Sequence, residues 1–208
     1  MQNNLPVLVL VDIQPNYDEE NQYGCENILH AALEKINNTD QRIICYYVGP
    51  ECGGDSKDDV MFYYLKNGID EYKLSKIHFI EKDFGFIRDW MDSGVKEDVI
   101  INTLAYMKAN NFGDTRNFTE LDWNMATCGE HKKNSKIMDD VIAYPYFHHK
   151  VFDKPEIDNI EVIGGGRFEC LLEIDLYLKS LGKTTVINED LCYGSYRPDH
   201  KKKIKNKK

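Results

Sequence analysis

Cys170 stands where an apolar strand runs through Gly164-Gly165-Gly166, turns, and opens a helix, in the stretch from Val162 to Gly182. A thiol at that place sits among unpaired backbone N–H groups at the positive end of the helix dipole, which lowers its pKa and favours the thiolate nucleophile. Most free cysteines are small buried hydrophobes, so the residue gains meaning only from its company. Two other strands supply that company. Leu5-Pro-Val-Leu-Val-Leu-Val-Asp12 ends in a carboxylate, and Ile77-His-Phe-Ile-Glu-Lys82 ends in an ammonium. An acid, a cation and a thiol at three strand ends are the groups needed for acyl transfer or a related hydrolysis: a base, a charge that orients it, and a nucleophile.

Elements that could bring them together can be read from apolar periodicity. The first run is continuous, which suits a strand buried on both faces of a parallel sheet, and ligands of such sheets lie beyond the carboxyl ends of the strands. The pattern predicts strands at Val7–Asp12, Arg42–Val48, Ile77–Lys82, Asp140–Phe147, before Gly164, and at Thr184–Asn188. Helices are predicted at Asn27–Asn37, Val60–Lys66, Phe86–Asp92, Lys96–Asn110 and Cys170–Leu181. In the fourth of these, Val99, Ile100, Leu104 and Met107 form an apolar face suited to a core or an interface. Alternation of strands and helices argues for an α/β fold with a parallel sheet and right-handed crossovers. Gly49–Asp59 is a loop able to border the site, and Phe112–Ser135 reads as polar and turn-rich.

At these residues the chain resembles the isochorismatase-like cysteine hydrolases. Asp12-Ile-Gln14-Pro-Asn16-Tyr17 matches the family's Asp-x-Gln-x-Asp-Phe motif except at Asn16. Cys170-Leu171, Gly182 twelve residues later, the strand Thr184–Ile187 and Asp190 fall into the register of its nucleophile motif. The resemblance covers roughly the first fifty residues, the strand around Lys82 and the last fifty. It implies a Rossmann-like three-layer fold with a six-stranded, mostly parallel sheet, and an Asp12-Lys82-Cys170 catalytic triad. It also implies an oxyanion hole formed by the N–H groups of Gly166 and Cys170 beside a non-proline cis peptide, with Gln14 as a partner of Asp12 at the substrate site.

Departures from the family pattern bear on substrate. Arg167 stands where the family commonly has Thr; it would bind a carboxylate or phosphate of the substrate, or else pair with one of the chain's many acids. Lys150 rivals Lys82 for the lysine role. Lys82 is preferred because a helix-compatible segment follows it, whereas Lys150 leaves no room for a crossover before the next strand. Nicotinamidases carry metal-binding histidines past the second strand, but Val48-Gly-Pro-Glu-Cys52-Gly-Gly-Asp55 has none. Adjacent His148 and His149 would point to opposite sides of a strand, which is poor geometry for holding one ion. A site without metal or cofactor is therefore expected.

Length and composition suit one domain over residues 1–200 with an insertion at about 96–158, useful as a lid, oligomer contact or partner surface, and a basic tail at 201–208. The net charge of −9 hides an asymmetry, because the tail KKKIKNKK carries six lysines and leaves −15 on the rest. An acidic body disfavours nucleic-acid binding. The tail reads as a solvated end or as an electrostatic dock. No apolar run approaches a membrane span, no signal-peptide pattern opens the chain, and six cysteines without paired zinc spacing suit a reducing, cytoplasmic setting. A small-molecule substrate and a homo-oligomer are expected, and richness in Asn, Lys, Ile and Asp is compatible with an AT-rich, viral genome.

Three functional classes fit these features unequally. A metal-independent cysteine hydrolase of a small amide, ureide or nucleotide-like metabolite accounts for all three strand ends. A catalytically idle relative that sequesters a ligand or protein would account for Arg167 and the insertion. A receiver or dehalogenase-type domain would need further acids near Asp12, which Asp12-Ile-Gln14 does not supply. A dinucleotide-binding loop is disfavoured too, because Gly-x-Gly-x-x-Gly would require glycine at Glu169.

Overall fold

The computed structural model describes residues 6–17, 25–82, 85–130, 141–145, 149–152, 154 and 156–194. Five strands form one parallel sheet among them: β1 (Val7–Val11), β2 (Arg42–Val48), β3 (His78–Lys82), β4 (Asn159–Gly164) and β5 (Thr184–Cys192), in the order β3-β2-β1-β4-β5. Parallel neighbours need crossovers, and helices supply them: α1 (Glu26–Asn38), α2 (Lys57–Lys66) and α3 (Glu71–Leu74) on the way to β3, and α8 (Cys170–Ser180) between β4 and β5. Between β3 and β4 the described residues include four helices, α4 (Arg88–Asp92), α5 (Glu97–Asn110), α6 (Glu120–Ala126) and α7 (His149–Phe152). No described helix is long and apolar enough to cross a membrane.

Every residue of β1 is buried, because the strand is covered on both faces. Val7, Val9 and Val11 face one apolar cluster with Ile44, Val162, Trp90, Leu104, Leu171 and Ile174. Leu8 and Leu10 face the other, with Ile28, Ile36, Tyr64 and Ile163. The period-2 alternation of a strand thus feeds two cores at once.

The expected strand count is corrected. Among the described residues the sheet has five strands, not six, and those of the predicted strand Asp140–Phe147 do not join it. Of its described residues, Ala143 makes an isolated antiparallel bridge to Asp114, and the Tyr144 N–H donates to the Gly113 carbonyl at 2.8 Å. Ile142 and Tyr144 are buried, so their alternation reflects burial beneath the helices and not a place in the ladder. Residues 96–158, expected as an insertion, pack onto the helix that follows β4 where they are described. Val99, Ile100, Leu104 and Met107 of α5 share one apolar cluster with Leu171, Ile174 and Leu178 of α8, and Trp90 stacks on Trp123 of α6 with ring centroids 5.8 Å apart. The turn-rich reading of Phe112–Ser135 missed α6, whose Thr119 and Asp122 form a reciprocal capping box.

Chain order reverses at β1, which has β2 on one side and β4 on the other. In an open parallel sheet that reversal opens a crevice at the carboxyl ends of the strands. Asp12 follows β1, Lys82 closes β3, and Cys170 opens the helix after β4.

Candidate active site

Asp12 is the first residue past β1, and its backbone is left-handed, with φ of 52°. A non-glycine residue holds that conformation only when its surroundings over-determine it, which is common at functional sites. Here both peptide groups are held: the Asp12 N–H donates to the Tyr46 carbonyl at 2.9 Å, and the Asp12 carbonyl accepts from the Tyr193 hydroxyl.

Lys82 reaches Asp12 from β3. Neighbouring strands lie about 4.8 Å apart, so β3 is about 10 Å from β1, a gap that a long side chain can cross. The Lys82 Nζ comes to 3.2 Å from the Asp12 Oδ2, with both side chains almost fully buried. The contact is an ion pair without hydrogen-bond alignment. Among the described residues neither Lys82 Nζ nor Asp12 Oδ1 has an aligned partner.

Cys170 completes the cluster, close enough to Asp12 and Lys82 for both charges to act on its thiol. The glycines before it are required by close approach. A Cβ on Gly164, whose φ is 114°, would lie 2.0 Å from the Val11 carbonyl oxygen, and one on Gly165 would lie 2.0 Å from the Tyr193 ring. The Gly166 carbonyl accepts the N–H groups of Glu169 at 2.7 Å and Leu171 at 3.1 Å, closing the turn into α8. No described acceptor takes the N–H of Gly166 or Cys170, so two donors remain at the helix start. The peptide bonds of the described residues are all trans, which differs from the family's cis peptide.

Charge in this pocket is set by burial more than by the helix dipole. Burial pushes the Asp12 carboxyl above the usual carboxylate range, against the pull of Lys82 and the Cys170 thiol. Burial pushes the Cys170 thiol up as well, Asp12 adds to the effect, and Lys82 and Arg88 do not fully offset it. The expected low thiol pKa is therefore corrected: the resting sulfur is protonated, beside a carboxylate that is an unusually good base. Burial alone would pull Lys82 down, but Asp12, Cys170 and Glu173 outweigh it and keep the ammonium charged.

The remaining expected residues are placed elsewhere. Gln14 is fully buried with Val48 and Asp55 as its partners: its amide nitrogen donates to the Val48 carbonyl at 3.2 Å and to Asp55 Oδ2 at 2.7 Å, while its oxygen accepts the Val48 N–H at 2.8 Å. It ties the end of β1 to the loop after β2. Arg167 pairs with Glu189 and lies against the Phe168 ring, half-exposed on the outer side of the turn, so its alternative role as a partner for an acid is the observed one. Lys150 lies in α7, but its side chain, like those of His148 and His149, falls outside the described residues, as does the lysine tail. No group of three or more potential metal ligands occurs among the described residues.

Two residues enter the site that spacing alone did not assign to it. Arg88, the first residue of α4, puts Nη2 3.8 Å from the Cys170 Sγ. Glu173 is buried at the third position after Cys170, accepts the Ile87 N–H at 2.9 Å and lies 4.0 Å from Arg88 Nη2. The i, i+3 spacing from the cysteine was the available signal for Glu173. Comparisons with family models, with curated proteins and with solved structures find no match.

Proposed function

We propose that this protein is a cysteine hydrolase of isochorismatase-like type, acting without a metal on a small amide, ureide or nucleotide-like metabolite. One observation carries the reading: three strand ends far apart in sequence bring a carboxylate, an ammonium and a thiol into one buried cluster, with Lys82 Nζ 3.2 Å from Asp12 Oδ2 and Cys170 beside the same carboxyl. The helices on both faces of the parallel sheet support the Rossmann-like three-layer description.

Asp12 takes the Sγ proton, and the sulfur attacks the substrate carbonyl carbon, forming a C–S bond. Negative charge moves to the carbonyl oxygen, which the N–H groups of Gly166 and Cys170, left without a described acceptor, stabilise. Collapse of this intermediate breaks the C–N bond, and Asp12 returns its proton to the leaving nitrogen. Water then attacks the thioester carbon as Asp12 takes the water's proton; the C–S bond breaks, and the proton returns to sulfur. Lys82 stays charged throughout and compensates whichever neighbour carries the negative charge.

Ammonia or amine release from a panel of small amides and ureides, with intact-mass detection of an acyl adduct on Cys170, tests this reading. Turnover should vanish in Cys170→Ala while the thermal transition persists. Full activity in that variant would refute the mechanism.

A second reading, an idle relative that holds a ligand, draws on the burial of Cys170, which is 4% exposed. That reading requires Cys170→Ala to bind the same small molecules as wild type, and wild type to form no adduct with any of them.

A further inference from the structure

Beyond the Asp12-Lys82 pair, a second set of charges reaches the sulfur. Arg88 Nη2 is 3.8 Å from Cys170 Sγ, and the guanidinium is mostly buried. Its Nη1 lies 3.2 Å from Glu169 Oε1, and its Nη2 lies 4.0 Å from Glu173 Oε2. The neighbouring peptide is fixed too, because the Ile87 N–H donates to Glu173 Oε1 at 2.9 Å. Glu173 thus holds the segment carrying Arg88 and approaches the guanidinium itself, from a helix that also carries the thiol. Glu169 and Glu173 fix the guanidinium at the sulfur, and a thiolate formed in this buried pocket needs a counter-charge.

We propose that Arg88 is the counter-ion of the Cys170 thiolate, and that Glu173 and Glu169 are positioning residues that hold its guanidinium at the sulfur. The assignment rests on the hydrolase reading and extends it. Lys82 is committed to Asp12 and becomes the sole positive charge for two anionic groups if Arg88 is removed. With Arg88 present, the proton can move from sulfur to Asp12 while each side of the new charge pattern keeps a cation. Charged and titratable groups facing the sulfur are Asp12 from β1, Lys82 from β3, Arg88 from α4 and Glu173 from α8. Those facing Arg88 are Glu169, Glu173, Cys170 and Asp92.

The test needs no substrate. Native protein is treated with iodoacetamide from pH 6 to 9, and the rate of Cys170 labelling is followed by peptide mass spectrometry, which separates it from the other five cysteines. Labelling follows the thiolate fraction, so Arg88→Gln should slow it about tenfold at pH 7–8, the equivalent of a one-unit rise in thiol pKa. Arg88→Lys, which keeps the charge and most of the stem, should restore part of the rate, and it serves alone if Arg88→Gln does not fold. A side chain that merely covered the sulfur would have the opposite signature, because its truncation would expose Cys170 and speed labelling. An Arg88→Gln or Arg88→Lys rate equal to or above wild type overturns the assignment. So does a wild-type Cys170 that stays unlabelled while exposed Cys52 reacts, since a thiolate that never forms needs no counter-ion. Loss of amide turnover in Cys170→Ala with no effect of Arg88 on labelling would leave the hydrolase standing and remove this role alone.

Discussion

Lys82 Nζ and Asp12 Oδ2 lie 3.2 Å apart in a pocket that leaves both side chains almost without solvent. Breaking a buried pair by removing one partner costs about 3–5 kcal/mol, because the survivor is left uncompensated. Lys82→Met should therefore destabilise the protein strongly at pH 8. The loss should shrink towards pH 4, where the stranded Asp12 carboxyl takes up a proton. The double variant Asp12→Asn/Lys82→Met should be more stable at pH 8 than Lys82→Met alone. Urea unfolding of the three proteins decides it, and a double variant no more stable than the single one would refute the pairing.

Glu173 provides a separate pH handle. Burial raises its carboxyl above the ordinary glutamate range, with the Ile87 N–H, Arg88 and Lys82 pulling the other way. A group whose folded pKa is raised contributes stability that is complete below the unfolded value and is lost as pH climbs through the folded one. Glutamine mimics the protonated form and can still accept the Ile87 N–H. Glu173→Gln should accordingly gain stability relative to wild type between pH 4 and pH 8. Equal pH slopes for the two denaturation midpoints would contradict the burial of that charge.

Gln14 acts as a structural tie. Its three buried hydrogen bonds join the exit of β1 to Val48 and Asp55. Gln14→Leu strips partners from buried groups and should cost about 2–4 kcal/mol. The residual folded protein should retain the Cys170 labelling rate, whereas a site role for the amide would change that rate at full occupancy of the fold.

Tyr193 clamps the left-handed Asp12 turn from the far end of the chain, by its hydroxyl on the Asp12 carbonyl and its ring against Gly165. Tyr193→Phe loses one hydrogen bond, worth about 1 kcal/mol, and should lower turnover more than stability because the carboxylate direction depends on that turn. Gly165→Ala should be far worse, since the added methyl has the ring in its way. A Gly165→Ala protein with wild-type melting and activity would disprove the close packing.

Much of the fold was legible in residues alone. Apolar runs located β1 through β3, the strand before Gly164, and α1, α2, α5 and α8, since strand and helix periodicities depend on local side-chain pattern. Three chemically suited residues at strand ends, Asp12, Lys82 and Cys170, were visible for the same reason.

Position in space was not. The alternation around Ile142 and Tyr144 looks like a strand, but which surface buries it depends on distant helices. Likewise Gln14 and Arg167 have side chains suited to a ligand; only packing showed that Val48 and Asp55 occupy one and Glu189 the other. The thiol's acidity was also beyond sequence, because a helix start lowers it and burial raises it, and burial is a property of the assembled core. Sequence thus determined which chemistry the chain could carry and on which elements; tertiary structure decided which charges share a dry pocket, since electrostatic energy depends on distance and desolvation, neither of which is written along the chain.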